Sequence, residues 1–108
     1  MKGSLRNWED SLMEDLRNPE AAQAYIQGCL EEGVPLQTAL RDVIKAQGFG
    51  EVAKKAQIAR PNLLRAVRPS SNPTFETMER LLHGVGLDFS VRPWKTERKR
   101  KSRVHAVA

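Results

Sequence analysis

The sequence is poor in the residues that build covalent or metal-bound cores, with one cysteine, Cys29, and two histidines among 108 residues. A single cysteine excludes an internal disulfide, and no Cys/His spacing typical of a metal or cofactor site is present. No apolar run approaches the roughly 18 residues of a membrane span. The first residues also lack the apolar stretch of a signal peptide. We therefore expect a cytoplasmic protein with no cofactor, no metal and no membrane partner.

Catalytic patterns are equally scarce. The chain shows no Ser/His/Asp or Cys/His pairing, no carboxylate pair in an apolar setting and no phosphate-binding loop. His83 falls near the end of a predicted helix, where a cation or a neutral imidazole is well accommodated, and His105 falls in the C-terminal tail. The sequence therefore predicts a protein that is not an enzyme and acts by binding.

Charge is unevenly distributed along the chain. Residues 1–33 carry seven acids and three bases, residues 34–93 carry nine bases and five acids, and residues 94–108 carry six bases and one acid. The three net charges are thus −4, +4 and +5, which sum to the formal charge of +5. This segregation favours two surfaces with different partners. The alternative is a solvated charged surface, which does not account for the segregation.

Apolar residues recur at helical spacing between helix-start and glycine stop signals over residues 18–93. They predict an all-α fold: a compact bundle of about five helices containing a helix-turn-helix, with a short C-terminal β-strand over residues 87–91. Residues 1–17 form an N-terminal segment with a weak helical pattern, and residues 94–108 form a basic disordered tail. In the last helix, the residues predicted to face inward are Phe75, Met78, Leu81 and Leu82.

Residues 50–67 contain two short helical patterns separated by about three residues, which is the spacing of a helix-turn-helix. The residues predicted to face inward are Val52, Ala53, Ala56, Ile58, Leu63, Ala66 and Val67. The outward residues are Arg60, Pro61, Leu64, Arg65 and Arg68, with Lys54 and Lys55 on the first helix. Arginine at the start of a recognition helix can bind guanine with two hydrogen bonds, and lysine beside it can contact phosphate. The alternative is a small helical bundle with a basic surface.

Two residues depart from the usual turn chemistry of this motif. Gln57 stands where a glycine is common, so we expect it to adopt a left-handed or tightened conformation. Ala59 stands where a Ser or Thr would cap the second helix, and alanine has no side-chain acceptor. Pro61 compensates in part, because proline suits the first turn of a helix.

A resemblance to the probable addiction-module antidotes runs from Asn18 to Pro93, over "NPEAAQAYIQGCLEEG…LQTALRDVIKAQGFGEVAKKAQIARPNLLRAV…NPTFETMERLLHGVGLDFSV". These are HigA-like antitoxins of type II toxin–antitoxin pairs, with a helix-turn-helix of the phage Cro and lambda-repressor type. The resemblance implies an antitoxin that neutralises a RelE/ParE-like toxin and represses its own operon by binding the promoter. By position, the family's DNA-reading helix falls on Ala59, Arg60, Pro61, Asn62, Leu64 and Arg65.

Several alternatives stay open at this point. The chain is alternatively a stand-alone phage-like transcriptional regulator without a toxin partner, or a bundle that binds only proteins. Operator palindromes favour a homodimer on double-stranded DNA, and residues 87–91 either pair with their two-fold mate or cover their own core. The segment with Trp8, Leu12 and Leu16 either docks a toxin or packs on its own domain. The basic tail either adds phosphate contacts or is solvated.

Overall fold

The computed structural model describes residues 8–94 of the chain. Those residues form six α-helices, so the all-α prediction is confirmed. The helices are α1 (Trp8–Asp15), α2 (Pro19–Glu31), α3 (Leu36–Gln47), α4 (Phe49–Ala56), α5 (Arg60–Ala66) and α6 (Phe75–Gly84). No helix in this part of the chain is long and apolar enough to cross a membrane. The predicted basic tail lies outside the described residues from residue 95 onward.

Side-chain caps start the two helices that frame the bundle. Asn18 Oδ1 accepts a hydrogen bond from the Glu20 N–H at 2.8 Å, with Pro19 as the first residue of α2. Thr74 Oγ1 accepts one from the Thr77 N–H at 3.1 Å, and α6 begins at the next residue. Each cap satisfies an N–H group that has no partner inside its helix.

Three helices are followed, within two residues, by a residue whose φ is positive. These residues are Gly33 after α2, Gln57 after α4 and Gly86 after α6, with φ of 86°, 59° and 94°. At each end, the following N–H donates to the carbonyl five residues back, at 2.9, 3.0 and 2.8 Å. This arrangement satisfies carbonyls at a helix C-terminus, and glycine is the usual residue for it. Gln57 adopts it with a side chain, which confirms the prediction of a left-handed turn there.

The core lies between α3 and the helices around it, since α3 packs against α1, α2 and α4, and α6 packs against α4. The largest fully buried side chains are Leu16, Leu40, Ile44, Leu63, Leu81, Val43, Val52, Val67 and Val85. Leu16 therefore joins the N-terminal segment to the same core. Burial of this apolar surface provides the main favourable term in folding.

Side-chain hydrogen bonds join α3 to its neighbouring elements. The Gln47 side-chain amide donates to the carbonyls of Leu16 at 3.4 Å and Val85 at 3.2 Å. These bonds join the end of α3 to the residues that follow α1 and α6. On the other side, the Tyr25 hydroxyl of α2 donates to the Asp42 carboxylate of α3. Burial and this hydrogen bond raise the pKa of the Tyr25 hydroxyl above its usual value.

One predicted core residue of α6 is in fact at the surface. Met78, Leu81 and Leu82 are buried as predicted, but Phe75 is 65% exposed. Its ring stacks on Phe89 with the ring centroids 4.7 Å apart. The prediction for Phe75 is wrong because the periodicity marks one face of a helix, whereas the first residue of α6 extends beyond the edge of the core.

The strand predicted over residues 87–91 is not confirmed, because residues 87–94 form neither helix nor strand. The pattern over this stretch alternates apolar Leu87, Phe89 and Val91 with polar Asp88 and Ser90. Leu87 and Phe89 are half-buried and both polar residues are exposed, but Val91 is 96% exposed, so burial alternates only as far as Ser90. A strand also needs a neighbouring segment for its backbone hydrogen bonds, and residues 8–94 supply none to this stretch. The alternating pattern thus indicated the burial of Leu87 and Phe89, was wrong for Val91, and contained no information on pairing.

Candidate nucleic-acid interface

The short helices α4 and α5 are joined by three residues, 57–59. The inward residues predicted for α4, Val52, Ala53 and Ala56, are all buried. Ile58 is half-buried and packs against the core, so it anchors the turn as predicted. The packing of Ile58 on the core and the left-handed backbone of Gln57 therefore fix the conformation of the turn.

The second short helix, α5, has one buried side and one solvent side. Leu63 is fully buried, Val67 directly after the helix is buried, and Ala66 is half-buried. Ala59 precedes α5 without a side-chain capping bond, as expected, and Pro61 lies in the first turn. All nine residues predicted to contact DNA are exposed: Lys54, Lys55, Ala59, Arg60, Pro61, Asn62, Leu64, Arg65 and Arg68. An exposed leucine among them, Leu64 at 39%, adds an apolar contact point.

An open groove of about 620 Å³ lies between α5 and the first turns of α6. Three of the predicted residues line it: Ala59, Asn62 and Arg65. The opposite wall is formed by the loop and helix that follow, including Asn72, Thr74, Thr77 and Arg80. The other six predicted residues lie outside the groove lining: Lys54, Lys55, Arg60, Pro61, Leu64 and Arg68. The candidate interface is thus the exposed side of α5 together with the groove beside it.

Arg65 is oriented by a neighbour on its own helix. Its Nη1 donates to Asn62 Oδ1 at 3.0 Å, one turn earlier. Both side chains are exposed, so the bond restricts the arginine without burying it. An arginine held this way loses less side-chain entropy when it binds a planar acceptor pair such as a guanine edge.

Arg80 on α6 was missed in the sequence. Its Nη1 donates to the Gln57 carbonyl at 3.4 Å, and its Nη2 lies 3.5 Å from Glu76 Oε2. The ion pair is exposed, with side-chain exposures of 49% for Arg80 and 76% for Glu76, so it adds little stability. The i, i+4 spacing of Glu76 and Arg80 marks them as a helix-surface pair. No local signal places that surface beside α5.

Side-chain hydrogen bonds fasten the loop between α5 and α6 to two helices. Ser71 Oγ donates to the Ala66 carbonyl at 2.5 Å, closing the loop onto the end of α5. The Gln37 side-chain amide, on α3, donates to the carbonyls of Pro69 at 3.3 Å and Ser71 at 3.0 Å. The exposed Arg68 is therefore carried on a loop whose backbone is tied to two helices.

Four bases of this surface form no ion pair with the described residues. Among residues 8–94, no ion pair or hydrogen bond involves the side chains of Lys54, Lys55, Arg60 or Arg68. A surface of this kind attracts an anionic polymer, because each neutralised phosphate releases a condensed counterion.

A separate polar group lies at the other end of α6. Ligand atoms of Glu79, His83 and Asp88 lie within 4.8 Å of one another, and these are the described residues that could hold a metal ion. His83 Nε2 and the Phe89 N–H both lie within hydrogen-bonding distance of Asp88 Oδ1, at 2.8 and 2.9 Å. These two hydrogen bonds lower the pKa of the Asp88 carboxyl. The group is separate from the α5 surface, and the expectation of no metal ligand stays a prediction.

Comparison of the sequence with known protein families identifies the family of this chain. The sequence model of the family described as "Probable addiction module antidote protein" matches residues 8–93. The match spans all six described helices, so the chain belongs to this family of addiction module antidotes. Membership indicates an antitoxin role and implies a toxin partner in general.

A relative in Haemophilus influenzae, described as an uncharacterized protein, is 31% identical over 80 residues. The aligned region covers 72% of this chain and 82% of that protein. No solved structure matches the chain.

Proposed function

We propose that the chain is the antitoxin of a type II toxin–antitoxin module, HigA-like, that neutralises a RelE/ParE-like toxin and represses its own operon. In this proposal α4 and α5 act as a helix-turn-helix of the Cro and lambda-repressor type. The observation that carries the DNA-binding half is the exposed side of α5, flanked by Lys54, Lys55, Arg60 and Arg68 without ionic partners in residues 8–94.

The interface divides into reading and positioning residues. Arg60 and Arg65 lie in the exposed part of α5, where a recognition helix presents its side chains to base edges in the major groove. Lys54 and Lys55 on α4 and Arg68 after α5 contact phosphates on either side. Arg80 extends this set across the groove, where one DNA backbone strand lies between α5 and α6.

The antitoxin half of the proposal rests on the family and on charge. The N-terminal part of the described chain exposes acidic side chains: Asp10, Glu14, Asp15, Glu20, Glu31 and Glu32. This surface suits a basic protein partner, and its acidic character keeps it away from DNA phosphates. The toxin and the operator would then bind different surfaces of one antitoxin, which acts in the cytoplasm as a homodimer.

The DNA-binding half is tested by a mobility-shift assay on a fragment of the protein's own promoter, with a scrambled fragment of equal length as control. We expect a salt-sensitive shift that favours the promoter. Arg65→Ala should lower the preference for the promoter, each good arginine–guanine pair contributing about 1–3 kcal/mol. Lys54→Ala should weaken both fragments alike and flatten the salt dependence. Equal effects from the two variants would contradict this division of roles.

The antitoxin half is tested by expressing the neighbouring open reading frame alone and together with this chain. Growth arrest by the neighbour, relieved by co-expression, is the expected result. A harmless neighbour combined with specific promoter binding would instead favour the stand-alone regulator. Loss of both activities would leave a bundle that binds only other proteins.

A further inference from the structure

The segment after α6 carries apolar side chains that the other residues of the 8–94 range do not cover. Leu87 and Phe89 are half-buried against the core, whereas Val91 is 96% exposed and Trp94 is 80% exposed. Phe75, which stacks on Phe89, also keeps 65% of its surface in solvent. The apolar row therefore begins on the core and ends in water, which is typical of a surface that another chain covers.

The backbone of this segment has one free edge. The Phe89 N–H is already engaged, since it donates to Asp88 Oδ1 at 2.9 Å. The N–H groups of Asp88, Ser90 and Arg92 have no hydrogen-bond partner within residues 8–94. In an extended chain, alternate N–H groups point to the same side. These three groups would therefore form one edge, available for a β-ladder.

The side chains of the segment are complementary to themselves. In an antiparallel pairing centred on Ser90, Asp88 lies opposite Arg92 of a second copy, and Phe89 lies opposite Val91 of that copy. Two-fold symmetry makes each pair twice. Shifting the pairing by one residue places Asp88 opposite Val91 or Pro93 instead, and the charge complementarity is lost.

We propose that residues 88–92 pair with the same residues of a second copy of this chain, as a two-stranded antiparallel ribbon centred on Ser90. This inference rests on the homodimer of the proposed function and gives it an interface. The hydrogen-bonded positions are Asp88, Ser90 and Arg92, the residues whose N–H groups are free. Pro93, which cannot donate, lies just beyond the ladder.

Both faces of this ribbon have a defined role. On one face, two Asp88–Arg92 ion pairs fix the register and select a second copy over an unrelated strand. On the other face, Val91 of each copy covers the Phe75–Phe89 stack of its partner copy. This apolar cover is necessary, because a two-stranded ribbon alone is only marginally stable in water.

Charge reversal tests the register directly, using the full chain in sedimentation equilibrium at low salt. We expect the wild type to be dimeric. Asp88→Arg places two arginines opposite two arginines, and Arg92→Asp places aspartates opposite aspartates. Each variant should dimerise at least about tenfold more weakly than the wild type. An equimolar mixture of the two variants should recover a dimer, because each heterodimer pairs arginines with aspartates.

Matched controls distinguish a loss of register from a loss of folding or of the His83 contact. Asp88→Arg also removes the contact with His83, so His83→Ala must stay dimeric. Circular dichroism must show the same helix content for every variant. The register would be wrong if both charge-reversal variants dimerised as tightly as the wild type. It would also be wrong if the folded variants stayed monomeric when mixed. Neither result would contradict the proposed dimer itself. A monomeric wild type at all concentrations would overturn the dimer as well, while promoter binding and toxin neutralisation are measured separately.

Discussion

Gly28 in α2 and Gly84 at the end of α6 should respond in opposite ways to the same substitution by alanine. A Cβ added at Gly28 would meet nothing within 4 Å. Alanine there should stabilise the fold by about 0.5–1 kcal/mol, because it lowers the entropy cost of the helical backbone. The substitution tests whether this part of α2 is free of close neighbours.

A Cβ added at Gly84 would lie 3.1 Å from the Ala56 Cβ, from the Val52 Cγ1 and from the Val52 carbonyl oxygen. The carbonyl belongs to the backbone of α4 and cannot rotate away. Overpacking of this kind costs about 1–3 kcal/mol, and the gain in helix propensity offsets less than about 1 kcal/mol of it at a helix terminus. We expect Gly84→Ala to destabilise the protein by about 1–2 kcal/mol.

The assay is urea unfolding followed by circular dichroism, with all three proteins at one concentration. A difference of 1 kcal/mol corresponds to roughly 4–8 °C in Tm for a domain of this size, so thermal scans provide a second readout. Unchanged m-values would show that the denatured state is the same. Stabilisation by both substitutions would refute the close approach of α6 to α4.

Further predictions concern the turn, the groove and the end of α6. Gln57→Gly should stabilise by about 0.5–1 kcal/mol in urea unfolding, since glycine adopts the left-handed turn without strain. Ala59→Ser should add about 1 kcal/mol in the same assay by capping α5. Arg80→Ala should weaken promoter binding and reduce the salt slope by about one unit in mobility shifts, if it contacts phosphate. The lowered pKa of the Asp88 carboxyl stabilises the fold above the unfolded pKa, about 3.9. Its contribution is lost as pH falls further. The urea midpoint of unfolding should therefore decrease less steeply with falling pH in Asp88→Asn than in the wild type.

The features that could be predicted from sequence are the ones that depend on short-range signals. The left-handed turn at Gln57 and the missing cap at Ala59 follow from the spacing of two short helices and the chemistry of single residues. The buried residues of α4 follow from helical periodicity. Each of these depends on residues within a turn or two along the chain.

The features that sequence did not predict depend on how distant elements pack. Periodicity assigned Phe75 to the core, but the core ends before the first residue of α6. Arg80 lies beside the Gln57 carbonyl because α6 packs on α4, 23 residues away in sequence. Alternation marked residues 87–91 as a strand, whereas pairing depends on a neighbour that residues 8–94 do not contain.

The central claim, that α5 reads base edges in the major groove, is tested most directly by guanine N7 methylation protection on the protein's own promoter. N7 lies in the major groove, so a phosphate-only contact leaves it reactive. We expect protected guanines in two half-sites about one helical turn apart. Protection should be lost with Arg65→Ala and kept with Lys54→Ala at saturating protein. Saturated binding without any protected guanine, or protection that survives Arg65→Ala and Arg60→Ala together, would contradict the account.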